Sequence, residues 1–206
     1  MKIGFVDYEL DEFHANTYLR IIRAESLAKG FEVAGCTAMT SGGKQWAEEN
    51  DVPFYDTVEA MNEGVDCFAV LAPSNPEMHL DMCEKVFPCG KPTFVDKTFA
   101  PDFETAKRIF ELADEWNVPV SSSSALRYTG IQDHVQTVGG RSNVQHMVVF
   151  APGGSVHEYV IHPLEIVVSC MGASVTGVSK RGQGEYVQLL IDYAGGKTAT
   201  LNLYCG

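Results

Sequence analysis

Between Val65 and Ala100 the chain runs VDCFAVLAPSNPEMHLDMCEKVFPCGKPTFVDKTFA, and this stretch restricts the possible folds more than any other. Val65 to Ala72 is an almost unbroken apolar run, the pattern of a strand covered on both faces. Pro73-Ser74-Asn75-Pro76 interrupts it. Asn75 is placed to cap the next helix, and Pro76 takes the first helical position, where a missing N–H costs nothing. Met78, Met82, Cys83 and Val86 give that helix an inward side, Gly90-Lys91-Pro92 closes it, and Thr93 to Val95 is a second apolar strand. Parallel strands need such a helical crossover, and ligands of the resulting sheets meet the carboxyl ends of the strands. Asn75 and Lys97 lie at two of those ends.

The flanking sequence extends the pattern. Lys2 to Val6 is a strand, and Phe13 or His14 to Lys29 a helix with Leu19, Ile22, Ala24 and Leu27 among its apolar positions, stopped by Gly30. Phe31 to Ala38 is a strand, Gly43 to Asn50 and Val58 to Gly64 are short helices, and Asp102 to Asn117 is an amphipathic helix with Ala106, Ile109, Phe110 and Ala113 on one face. Val118 to Ser123 is a last strand. This alternation predicts an α/β fold, a Rossmann-like doubly wound parallel sheet over residues 1–124. Residues 125–206 change character: strands Val144 to Ala151, Ser174 to Ser179, Glu185 to Tyr193 and Thr198 to Tyr204, with one helix around Tyr159 to Met171, predict a small α+β domain with a mostly antiparallel sheet. One helix cannot cover both faces of four strands, so the free face predicts a homo-oligomer.

The net charge of −12 argues against nucleic acid or an anionic membrane as partner. No apolar run approaches the length of a membrane span, and Met1-Lys2 leads directly into a strand with no signal peptide expected. The six cysteines are scattered without a Cys-x-x-Cys pair, which predicts reduced thiols, a cytoplasmic location and no metal site.

Around Tyr159 to Met171, a rotation of roughly 100° per residue groups Val160, Leu164, Val167 and Met171 on one face and Glu158, His162 and Glu165 on the other. Pro163 fits only in the first turn, which sets Glu158 ahead of the regular helix. On the residues alone the polar stripe is a solvated face with an i, i+4 Glu–His pair, although an imidazole is suited to a hydroxyl proton and an ammonium to a developing alkoxide.

Pro73 and Asn75, His79, Gly90-Lys91 and Asp96-Lys97-Thr98 resemble, in order and spacing, the signature of the Gfo/Idh/MocA family of sugar and inositol oxidoreductases, with Asp in place of Glu and Thr in place of Pro in its Glu-Lys-Pro tripeptide. Glu158, His162, Glu165 and Met171-Gly172 match the helix that the family sets against the nicotinamide, and Arg127 matches an arginine after the domain crossover, an interdomain or surface ion pair being the other reading. The resemblance implies an NAD(P)-dependent oxidoreductase acting on a sugar, polyol or related small hydroxy compound. It implies catalytic roles for Lys97, His162 and Glu158, and cofactor contacts from Pro73, Asn75, Thr37 and Asp96, with NAD or NADP as cofactor. Through it His79 is expected on the cleft wall, whereas His134, His146 and His157 have no supporting pattern.

The turn after the first strand departs from that resemblance. A dinucleotide site has Gly-x-Gly-x-x-Gly there, so that bare amides and a helix N-terminus can approach the pyrophosphate. This chain has Asp7-Tyr8-Glu9-Leu10-Asp11-Glu12. Like charges at such a place disfavour an anion by on the order of a kcal/mol each, so a degenerate cofactor loop is expected. The acids also suit a helix macrodipole, or a cation site built from Asp7, Glu9 and Asp11. Thr37-Ala38 replace the ribose-binding acid, and Ser41 and Lys44 suit a 2′-phosphate. The alternative function is a non-catalytic family relative serving as a binding or regulatory subunit.

Overall fold

Alternation along the strands builds the first half of the molecule. In the computed structural model, which describes every residue except Leu27, Ala28 and Pro73 and omits the side chains of Glu25 and Ser26, five parallel strands form one sheet in the order β2-β1-β3-β4-β5. They are β1 (Lys2–Asp7), β2 (Glu32–Ala38), β3 (Cys67–Val70), β4 (Thr93–Val95) and β5 (Val120–Ser121). Leu27, expected on the first helix, and Pro73, expected at the cofactor, lie outside the described residues. Val6, Phe68, Val70 and Val95 point to one side, into a core with Met61, Met82, Val86, Phe87, Ile109 and Leu112. Phe5, Ala69, Leu71 and Cys36 point to the other, against Leu10, Ala15, Leu19 and Trp46. Two covered faces explain the unbroken apolar runs.

The helices of this unit are α1 (Phe13–Ile21), α2 (Gly43–Glu49), α3 (Val58–Asn62), α4 (His79–Val86) and α5 (Phe103–Glu115). The long first helix expected to Lys29 is instead α1 followed by a π-turn, Ile22–Ser26, beside which Arg23 donates to the carbonyl oxygens of Asn50 (2.5 Å) and Asp51 (3.4 Å). Gly90, at φ 68°, takes the left-handed position that ends the turn after α4. Cys36 bridges in parallel to Phe54, so a residue beyond β2 continues the sheet. Connections run one way from β1 to β2 and the other way from β3 to β4, which places a topological switch point at the carboxyl ends of β1 and β3.

The chain divides into two compact units, Met1–Ser122 and Ser123–Gly206. The second has α6 (Gly130–Thr137), β6 (His146–Gly153), α7 (Val156–Tyr159), α8 (Ile161–Met171), β7 (Val175–Gln183), β8 (Tyr186–Tyr193) and β9 (Thr198–Cys205). Its sheet order is β6-β9-β8-β7, antiparallel except that β6 runs parallel to β9. Val167, Cys170 and Met171 of α8 pack with Val135, Ile191, Ala199 and Leu201. The other sheet face leaves Val148, Phe150, Tyr186 and Tyr204 exposed, with Tyr204 ring-stacked on Phe150 and edge-on to Tyr186. All six cysteines are free thiols.

Candidate functional site

Asp7 ends β1 and is 1% exposed. Its Oδ1 accepts the amides of Tyr8 (2.7 Å) and of Ala72 beyond β3 (2.9 Å), so one carboxyl ties two strand ends together. Burial pushes this carboxyl up to about 8, with the charge of Glu12 adding to the shift and the two amides opposing it. Below that pH it is largely neutral, and Glu9 and Asp11 are exposed to water. Four equal charges therefore do not crowd the turn. Among the described residues no set of three His, Cys, Asp or Glu is arranged to hold a metal ion.

Glu12 is the residue that meets the helix. It is the N-cap of α1, in extended backbone, and its carboxylate accepts the amides of His14 (2.6 Å) and Ala15 (2.5 Å). The His14 ring approaches Glu12 at 3.5 Å and Asp96 at 3.8 Å. Burial raises the Glu12 carboxyl, but the His14 ring and the two amides outweigh burial and hold it below the usual range. A pyrophosphate on this turn needs the same amides, and no glycine lies between Gly4 and Gly30 to bring bare backbone closer. With Glu12 on the helix, the residues present do not fit a dinucleotide in the usual pose.

The ends of β3 and β4 are built differently. The backbone is left-handed at Ala72 (φ 50°) and Ser74 (φ 62°), uncommon for residues with side chains and frequent at ligand sites. Asn75 precedes a 3₁₀ turn, Pro76–Met78, with Pro76 at its start; its side chain makes no capping bond there, and its own amide donates to Ala72. His79, expected to line the cleft wall, is fully buried, its ring nitrogens 2.6 Å from the carbonyl oxygen of Leu71 and 3.0 Å from that of Phe99. It ties the segment after β3 to the segment after β4. Asp96 is also fully buried, accepts the Tyr18 hydroxyl at 2.9 Å, and has its carboxyl raised by burial against the pull of His14 and Lys97. Burial and Asp96 together raise the Tyr18 phenol. Lys97 follows, partly exposed, with a cis peptide to Thr98. Thr37 is buried within β2, paired with Val6, and Lys44 is engaged by Asp56 at 2.8 Å.

In the second unit His162 stands in the first turn of α8, and its Nδ1 lies 2.6 Å from the hydroxyl of Ser124, a residue 1% exposed. From the sequence, position 124 is no more than the end of the first domain; a contact across 38 positions leaves no local signal. Arg127 Nε donates to Glu165 Oε2 at 2.5 Å and Nη2 approaches Oε1 at 3.4 Å, an ion pair within this unit. Glu158 lies in α7, ahead of α8, and accepts the Ser155 hydroxyl at 3.1 Å. Pro163 is buried in the first turn of α8, where the helix tolerates it.

Residues 12–124 match the model of a family described as "Oxidoreductase family, NAD-binding Rossmann fold", Gfo/Idh/MocA. The match begins at Glu12, after the rest of the acidic turn. An uncharacterized oxidoreductase of Schizosaccharomyces pombe is 24% identical over 109 residues, 52% of this chain and 30% of its own length. A solved UDP-N-acetylglucosamine 3-dehydrogenase from Acidithiobacillus ferrooxidans shares the fold at a TM-score of 0.81 and 17% identity, over 100% of this chain and 69% of that one. An oxidoreductase from Agrobacterium radiobacter, solved in complex with NAD+, L-tartaric acid and magnesium, gives 0.76 and 14%, over 99% of this chain and 66% of that one. The chain thus spans under a third of the S. pombe protein and about two thirds of these structures. With the matched segment covering more than half of its residues, the chain belongs to the Gfo/Idh/MocA family of NAD-binding oxidoreductases.

Proposed function

We propose that the protein is an oxidoreductase acting on a small hydroxy compound of the sugar or polyol kind, with NAD or NADP as the redox partner its family uses. The observation that carries this reading is the Ser124–His162 contact. The Ser124 hydroxyl holds the imidazole in a fixed orientation, and an imidazole is the side chain suited to taking a proton from a hydroxyl near neutral pH. Lys97, matched by the resemblance to the lysine of the family's tripeptide, is the ammonium suited to stabilising a developing alkoxide. Glu158 steadies the short helix ahead of His162, and the Arg127–Glu165 pair fixes the 3₁₀ turn after Ser124 against α8. Two solved neighbours, one a dehydrogenase of a sugar nucleotide and the other bound to a hydroxy acid, support a hydroxy compound as substrate.

The test is a panel of sugars, polyols and hydroxy acids offered with NAD+ and NADP+, followed by nicotinamide absorbance. Lys97→Ala and His162→Ala should each lower turnover by at least about a hundredfold while leaving the fold intact. Ser124→Ala should move the alkaline or acid limb of the pH profile, which a purely structural role would not do. Unchanged turnover in either alanine variant of Lys97 or His162 removes the assignment.

One observation favours a second reading, a non-catalytic relative that binds or regulates: the α1 N-terminus is already held by Glu12. Neither reading needs a membrane, and no helix among the described residues is long and apolar enough to cross one. Free thiols suit the reducing cytoplasm. The exposed Phe150, Tyr186 and Tyr204 make the open sheet face the natural contact between two copies; a monomer by light scattering at micromolar concentration would remove that contact.

A further inference from the structure

We infer that Glu12 is an internal anion occupying the helix terminus that a dinucleotide's pyrophosphate would use, so that any dinucleotide must displace it before docking on α1. The carboxylate takes two amides of the first turn, those of His14 and Ala15, while the Asn16 amide is already in the helical bond to the Glu12 carbonyl. The arrangement is held from behind. The Leu10 side chain is fully buried among Phe5, Ala15, Leu19 and Trp46, and the Glu12 amide donates to the Leu10 carbonyl at 2.8 Å. Asp7 spends its Oδ1 on Tyr8 and Ala72, which fixes the entry to the turn. The Trp46 indole donates to Asn16 at 2.8 Å and locks α1 against α2. The turn is therefore a completed structure with its own ligand, and an arriving phosphate competes with a tethered carboxylate at very high effective concentration.

Charge alone would have a different signature. Glu9 and Asp11 are exposed and screened, and Asp7 is buried and largely neutral near pH 7, so the remaining negative charge next to the amides is that of Glu12.

The experiment compares the full chain with Glu12→Ser, whose short neutral hydroxyl still caps the helix, with Glu12→Asn as a second neutral cap, and with Glu9→Ser, which removes the same charge from an exposed position. NADH fluorescence titration and the thermal shift produced by inorganic pyrophosphate are read for each variant that keeps a cooperative melt. The expected result is weak binding by the wild type and a gain of at least about tenfold for Glu12→Ser or Glu12→Asn, because a neutral cap oxygen holds the first-turn amides less strongly than the Glu12 carboxylate does, with little change for Glu9→Ser. Wild-type binding as tight as that of the Glu12 variants overturns the inference. So does an equal gain in Glu9→Ser, or no gain in either folded Glu12 variant. These outcomes are separate from the oxidoreductase reading: a Glu12 variant that gains NADH binding without turnover on any substrate sinks that reading and leaves the internal anion standing.

Discussion

Two turns at the carboxyl end of the same sheet have been treated in opposite ways. At the β1–α1 turn the amides of Tyr8, His14 and Ala15 are spent on the chain's own carboxylates, Asp7 and Glu12. At the ends of β3 and β4 the backbone is left-handed at Ala72 and Ser74, His79 holds the two segments together from inside, and Lys97 follows the buried Asp96. One sheet supports both turns, since Val6 and Val70 pack in the core on one of its faces and Phe5 and Leu71 in the core on the other. The difference teaches that the fold constrains where a site can be, and a handful of side chains at the rim decide what the site accepts.

The comparison can be broken first at Lys97. Lys97→Ala should cost about a hundredfold or more in turnover, with an unchanged melting temperature; a fall in stability instead would make Lys97 a structural part of the β4 end. The next test is His79→Ala. It leaves the Leu71 and Phe99 carbonyls without their buried partner and should destabilise the protein by about 3 kcal/mol, read by denaturant unfolding. A loss under about 0.5 kcal/mol would mean that the β3 and β4 ends are held by something other than this ring.

Asp7 tests the closed turn through pH. Its folded value, about 8, lies above the ordinary 3.8, so the stability linked to its proton is full below the ordinary value and is lost as pH rises through the folded one. Asp7→Asn keeps the oxygen that accepts from Tyr8 and Ala72 and does not titrate. The difference in stability between variant and wild type should therefore grow with pH between those limits, by at most about 1.4 kcal/mol per pH unit, and level off above pH 8. A pH-independent difference would contradict the buried neutral acid. The smallest effect is that of Glu12→Ala, about 1 kcal/mol for a lost cap, visible as earlier exchange of the first-turn amides of α1.

Much of this was legible in the sequence. The apolar run from Val65, the proline and glycine punctuation around α4, and the alternation of β8 specify local structure, and local structure summed to the right architecture. The parts that were not legible depend on distant partners. The π-turn at Ile22 to Ser26 lies beside carbonyls of Asn50 and Asp51, and the Ser124–His162 contact joins positions 38 apart. The acidic turn is the clearest case. As letters, Asp7, Glu9, Asp11 and Glu12 are four equal charges, whereas packing makes one a buried acid bonded to the far side of β3, one a helix cap, and two solvated carboxylates. Burial, which sets the titration and the reach of each group, is a tertiary property.

The most direct test of this account is to follow the His14 and Ala15 backbone amides by NMR while NADH is titrated into the wild-type protein near neutral pH. With Glu12 holding both amides, their signals should stay in place up to millimolar NADH. Saturable movement of these two signals at micromolar NADH would contradict it, because the pyrophosphate would then reach the helix without hindrance from Glu12.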